Sequence, residues 1–129
     1  MKIYYNENYN IDLGLLNYLH PFDGKKFKHI YETIKNTAIQ VNSPSELADD
    51  NLILPTINEL LSRLIKQKRY IFRALEMPYI PFISYEKIDK RILQPMRWGV
   101  AGTLAAAKSA KSGEVQWNLA GGYHHGQSS

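Results

Sequence analysis

The stretch that most constrains this chain is residues 95–120, where "PMRWGVAGTLAAAKSAKSGE" gives way to "VQWNLA". Gly99, Ala101, Gly102, Ala105, Ala106, Ala107 and Ala110 make the first part a helix pattern rich in small residues. Such a helix can lie close against a sheet. Pro95 is placed to open it and Gly113 to end it. The second part is a mostly apolar strand pattern, as expected of a strand covered on both faces. Together with the upstream segments the order is strand, helix, strand, helices, strand, which suggests an α/β fold with a parallel sheet. In such folds ligands sit beyond the carboxyl ends of the strands. Here that position is held by "GGYHHGQSS", which closes the 129 residues.

Upstream segments agree with this order. "KIYY" reads as a short strand and "NENYN" as a turn. Phe27, Ile30, Tyr31 and Ile34 recur at helical spacing, which predicts an amphipathic helix over 24–35 with Asp23 as its cap. "AIQV" at 38–41 is a second strand. Ser43, Pro44 and Glu46 have the spacing of a capping box that starts a short helix. Pro55 then opens a longer helix with an apolar stripe from Ile57 to Leu75. The two prolines of "MPYIPFIS" exclude helix and predict an extended loop with exposed apolar groups.

Composition excludes several function classes. With 44% hydrophobic and 22% charged residues the chain is globular in character. No apolar run is long enough to span a bilayer, and "MKIYYNENYN" lacks a signal-peptide pattern, so a cytoplasmic protein without membrane contact is expected. Zero cysteines removes disulfides, thiolate metal sites and cysteine nucleophiles. The net charge of +4 is concentrated in "RLIKQKRYIFR", where Arg63, Lys66, Lys68, Arg69 and Arg73 stand without an acid. This basic 63–73 helix could serve a non-catalytic binding module with an acidic partner. A solvated helix face is the simpler reading, and no nucleic-acid motif accompanies it, so nucleic acid is not an expected partner.

The chemistry gathers at 121–125. Gly121 and Gly122 let the backbone turn sharply and approach a ligand. His124 and His125 follow, with rings that titrate near neutral pH and can move a proton. Adjacent histidines on extended backbone point in different directions and suit different roles. On residues alone this is either a polar tail or an acid/base site on an α/β domain.

Several separate stretches resemble the histone deacetylase family, most closely its class-four group and the bacterial acetoin-utilisation-type relatives. These are "GGYHH" after a strand, "NYLHPFDGKKF", "KRYI" and "ILQPMRWGVAGTLAAAKSA". The resemblance runs over residues 2–129 and implies one domain, 1–129, forming the N-terminal portion of a three-layer arginase/deacetylase-type α/β fold. It implies a zinc-dependent hydrolase acting on acetyl-lysine or a related small acylated amine. By resemblance, His125 is the general base and later the acid toward the leaving amine, with His124 as its partner. Gly121 and Gly122 shape the tunnel wall, while His20, Pro21, Phe22 and Lys26 border the tunnel and an inner pocket. Lys66 and Gln67 depart from the family's His-Thr. The larger departure is the family's zinc ligands: an Asp-x-His motif and a second Asp are expected downstream, and no Asp follows Asp89 here. The metal assignment within this chain is therefore none. Zinc belongs to the full-length family, and the chain alone is expected to lack both metal and turnover. An uncompleted sheet would also leave an edge open to self-association.

Overall fold

The computed structural model describes residues 1–18 and 23–121. Strand β1 (Lys2–Tyr4) is the middle strand of a three-stranded sheet, with β2 (Gln40–Asn42) on one side and β3 (Gln116–Asn118) on the other. Both neighbours run parallel to it, and Ile3 stands in register with Val41 and Trp117. The parallel α/β arrangement expected from the sequence is thus present. "AIQV" contributes its strand two residues late, at Gln40–Asn42.

Helices occupy both faces of the sheet. Side chains alternate along a strand, so Val41 and Tyr5 share one face while Tyr4 and Asn118 share the other. On the first face lies α1 (Lys26–Ile34), whose Phe27 and Tyr31 pack with Tyr5 and Val41. Tyr31 stacks on Tyr5 with ring centroids 4.3 Å apart. On the second face lies α6 (Gln94–Ala110), which meets β3 through Asn118. Gly113, at φ 83°, follows the end of α6.

The strand β3 is not covered on both faces as its apolar sequence predicts. Val115 is 61% and Trp117 58% exposed. By register they stand on the same side of the sheet as Val41, the side on which Phe27 and Tyr31 pack.

Three further expectations change. Ser43, Pro44 and Glu46 start no helix; Ser43 Oγ instead accepts from Asn6 Nδ2 at 2.7 Å. The short helix begins later as α2 (Asp50–Ile53), capped by Asp49, whose carboxylate accepts from the Leu52 N–H at 3.0 Å. Pro55 opens no long helix. It lies in a single tight turn, Leu54–Thr56, and Ile57 is extended. Asn58 caps α3 (Glu59–Leu64), and α4 (Lys68–Ala74) starts only after a break with Gln67 extended. Continued as one helix, the stripe of Leu61, Leu64 and Ile65 would bring Lys68 onto its buried side. The break frees Lys68 Nζ to donate to the carbonyls of Pro81 and Ile83, at 2.8 and 3.0 Å. The last helix begins before Pro95: α5 (Tyr85–Ile88), capped by Ser84, runs through a π turn at Asp89–Leu93 into α6. The Gln94 N–H reaches back to Asp89 O, so the rod passes Pro95, which has no N–H to give.

Candidate functional site

The carboxyl end of β3 is where the sequence predicts chemistry, and the structure builds its support from three elements. Tyr5, Tyr9 and Ala120 are buried together, with Phe27, Tyr31, Val41, Trp98 and Leu119 packed around them. Tyr5 and Tyr9 meet edge to face at 5.9 Å, and Tyr9 meets Phe27 the same way at 6.3 Å. The Leu119 N–H donates to Tyr4 O at 3.0 Å, extending the ladder one residue beyond β3.

Asn118 joins this end of the sheet to α6. Its carboxamide nitrogen donates to Gly99 O at 2.8 Å, to Thr103 Oγ1 at 3.0 Å and to Ala120 O. Its Oδ1 and the Tyr9 hydroxyl are buried, and neither finds a hydrogen-bond partner among the described residues. Tyr9 is only 1% exposed. Burial pushes its hydroxyl pKa well above the ordinary tyrosine range, since the phenolate would lose its water. Gly102 makes the approach possible: a Cβ there would lie 2.0 Å from Tyr9 Oη and 2.5 Å from Asn118 Oδ1. These roles of Asn118, Tyr9 and Gly102 are missed by a reading centred on the histidines. The available signal was a single Asn inside "VQWNLA", a polar residue in an apolar strand.

Of the expected site residues, Gly121 and Lys26 lie in the described part. Gly121 is exposed, its φ is not in the left-handed region, and a Cβ there would meet nothing within 4 Å. Lys26 opens α1 and holds its ammonium 5.0 Å from the Phe27 ring centroid, beside the cluster that contains Ala120. His20, Pro21, Phe22, Gly122, His124 and His125 lie outside the described residues. Among the described residues, Ile11 and Gly24 lie against each other. Ile11 N–H donates to Gly24 O at 2.9 Å, and a Cβ on Gly24 would sit 2.0 Å from Ile11 O. Asp23 is not the cap of α1 that the sequence predicts: Lys25 holds that position without a side-chain hydrogen bond, and Asp23 accepts from the Lys25 N–H at 2.9 Å and meets His29 Nδ1 at 3.0 Å.

Two further clefts have no histidine among their described lining residues. One is lined by Glu7, Asn10, Asp12, Lys90, Arg91 and Trp98 among others. There the Gly14 N–H and the Asn17 amide, each 2.8 Å away, hold the Asp12 carboxyl below the usual range. The other includes Asp49, Asp50, Lys66, Tyr85, Asp89 and Arg97. Arg97, its side chain 11% exposed, pairs with Asp89 at 2.7 Å and Asp50 at 3.1 Å. Burial raises the Tyr85 pKa in the same cleft.

The basic 63–73 segment is two helices, not one, and several of its charges have local partners. Arg63 pairs with Glu59, Lys68 binds the loop carbonyls, and the Arg69 guanidinium lies 5.0 Å over Tyr79. Among the described residues, no group of three or more His, Asp and Glu side chains is placed to hold a metal ion. Likewise, no helix among them is long and apolar enough to cross a membrane.

The chain is 26% identical over 129 residues to Histone deacetylase 2 of Arabidopsis thaliana. The alignment takes in 97% of this chain and 33% of that relative, so the chain spans about a third of the relative's length. No family model matches the chain. No solved structure matches it.

Proposed function

We propose that this chain is the acid/base portion of a zinc-dependent deacylase with an arginase/deacetylase-type fold. Its substrate class is acetyl-lysine or a related small acylated amine. The observation that carries this reading is the end-to-end similarity to a histone deacetylase, coupled to "GGYHH" standing directly beyond a parallel strand. In the proposed reaction, His125 takes a proton from the attacking water and later gives it to the leaving amine. His124 hydrogen-bonds that water and tunes the local charge. Gly121 and Gly122 shape the wall beside the acyl group, with His20, Pro21, Phe22 and Lys26 bordering the inner pocket.

The described residues do not fit a zinc site, because no set of carboxylates and imidazoles converges among them. No step is therefore routed through a metal held by those residues. In the family zinc polarises the acyl carbonyl and activates the water. The reading expects the isolated 129-residue chain to contain no stoichiometric zinc and to leave an acetyl-lysine peptide intact. Zinc analysis and a fluorogenic peptide assay test this together. Stoichiometric zinc with turnover that disappears in His125→Ala would mean that a complete site assembles from this chain, overturning the division of the site.

A further inference from the structure

We infer that the cleft between residues 7–12 and the start of α6 is a binding site for a small organic anion, a flat ring carrying one phosphate or carboxylate group. The cleft has a volume of about 300 Å³ and includes Lys90, Arg91, Gln94, Pro95 and Trp98 in its lining. Lys90 and Arg91 both belong to the π turn that joins α5 to α6. Neighbouring side chains on an α-helix diverge by about 100°. A π turn is wider, so it brings two consecutive cations closer together over one cleft. Neither has a carboxylate partner among the described residues. The Lys90 ammonium has no partner there at all, and Arg91 donates one bond, from Nη1 to Asp12 O at 3.3 Å. A guanidinium carries five N–H donors in a planar fork that matches phosphate or carboxylate oxygens, and the Lys90 ammonium adds a second point charge.

The acids in the same cleft do not cancel this charge. Glu7 Oε2 lies 3.9 Å from Lys28 Nζ, outside the pair of cations. Asp12 gives one carboxylate oxygen to the Gly14 N–H and the Asn17 amide, and set against Lys90 and Arg91 it still leaves one positive charge over. Other basic side chains are already engaged: Arg97 by Asp50 and Asp89, Arg63 by Glu59, Lys68 by two carbonyls. The ring half of the ligand follows from the rest of the lining. Trp98 and the buried Pro95 give the cleft an apolar wall, and an indole takes a flat ring by offset stacking. That wall is preformed, because Trp98 packs against both the Tyr5–Tyr9 cluster and the cluster of Ala48 and Ala101. The carboxamides of Asn8 and Gln94 also line the cleft, have no partner among the described residues and can bond polar atoms at the ring's edge.

Nothing in this site draws on the deacylase reading, and its test is binding rather than turnover. Phenyl phosphate is titrated into the whole 129-residue chain at constant ionic strength, with the Trp98 indole N–H and the Arg91 Nε–H followed by nuclear magnetic resonance. Both resonances should shift and saturate together, while the indole N–H of Trp117, exposed on the edge strand β3, stays in place. In Arg91→Gln the dissociation constant should rise about tenfold or more, the effect of losing charged hydrogen bonds. In Lys90→Gln it should rise less, and Lys66→Gln, in the cleft of Asp49 and Arg97, should leave it unchanged. Phenol keeps the ring without the charge and inorganic phosphate keeps the charge without the ring, so each should bind more weakly than phenyl phosphate. Benzoate compared with phenyl phosphate names the preferred head group, and saturable binding of either supports the site. No saturable shift of Trp98 with either anion would overturn the inference. So would phenol binding as tightly as phenyl phosphate, or Arg91→Gln weakening binding no more than Lys66→Gln. Should Arg91→Gln fail to fold, Lys90→Gln and the wild-type titrations decide by the same criteria.

Discussion

Two buried regions of this molecule are built on opposite principles. The cluster of Ile71, Phe72, Ile88, Ile92 and Leu93 is entirely apolar and joins α4 to the α5–α6 rod. Around it the "MPYIPFIS" loop is held by Lys68 on two carbonyls and by Tyr79 packed edge to face on Phe72 at 5.8 Å. Nothing in it asks for chemistry, and Phe82 is left 88% exposed at the loop's tip. The cluster at the carboxyl end of the sheet is aromatic and polar. It buries Tyr5 and Tyr9 and leaves the Tyr9 hydroxyl and Asn118 Oδ1 without partners among the described residues. Unsatisfied buried polar groups cost stability, and proteins tolerate them where a site needs them. The first cluster supplies stability; the second gives some of it up in two buried polar atoms that have no partner among the described residues.

The largest predicted effect breaks the apolar side of that comparison. Phe72→Ala should cost about 3–5 kcal/mol in denaturant unfolding, the usual range for emptying a buried phenylalanine site. Gly102→Ala attacks the polar side by overpacking. A methyl 2.0 Å from Tyr9 Oη cannot be relieved by a fully buried ring, so a loss of about 1–3 kcal/mol is expected by the same measurement. Lys68→Met should be milder, about 1 kcal/mol, and should raise the proteolysis rate within residues 77–84 more than elsewhere.

Tyr9→Phe sharpens the comparison most finely. Removing a hydroxyl that has no partner among the described residues should change stability at neutral pH by less than about 1 kcal/mol, in either direction. The alkaline limb should differ. The folded-state pKa of Tyr9 is raised, so its contribution is fully present below the unfolded value and is lost as pH rises beyond it. Wild-type stability should therefore fall above about pH 10, and Tyr9→Phe should flatten that fall. An equal alkaline loss in both proteins would assign the effect to other tyrosines, of which Tyr5 and Tyr85 also carry raised values.

Much of the fold was legible because it rests on local signals. The parallel sheet follows from short strands separated by helical periodicity, and α1 follows from Phe27 and Tyr31 at helical spacing. Two of the misread boundaries, at Ser43 and Lys68, share one cause: a local motif was outcompeted by a tertiary contact. Ser43 has the spacing of a capping box, but its hydroxyl bonds Asn6 across the sheet end. Pro95 resembles a helix start, yet a π turn lets the rod run through it. Lys68 lies where a continuous helix would bury it, and the chain breaks to let it bind a loop. The exposure of Trp117 was not legible, since an apolar strand looks the same at a sheet's edge as at its centre. At the candidate site, the histidines stand out in the sequence by their chemistry. Asn118 does not, because its meaning depends on α6 coming within hydrogen-bond reach.

The central claim is that His125 is the acid/base group of a deacylase. It is tested most directly by a chimera in which this chain replaces the aligned third of the Arabidopsis relative, assayed on an acetyl-lysine peptide. The account predicts hydrolysis that falls by about 10²–10⁴ in His125→Ala, the usual contribution of a positioned acid/base group. A folded, zinc-loaded chimera that fails to hydrolyse the peptide, or one that hydrolyses it equally well without His125, would contradict it.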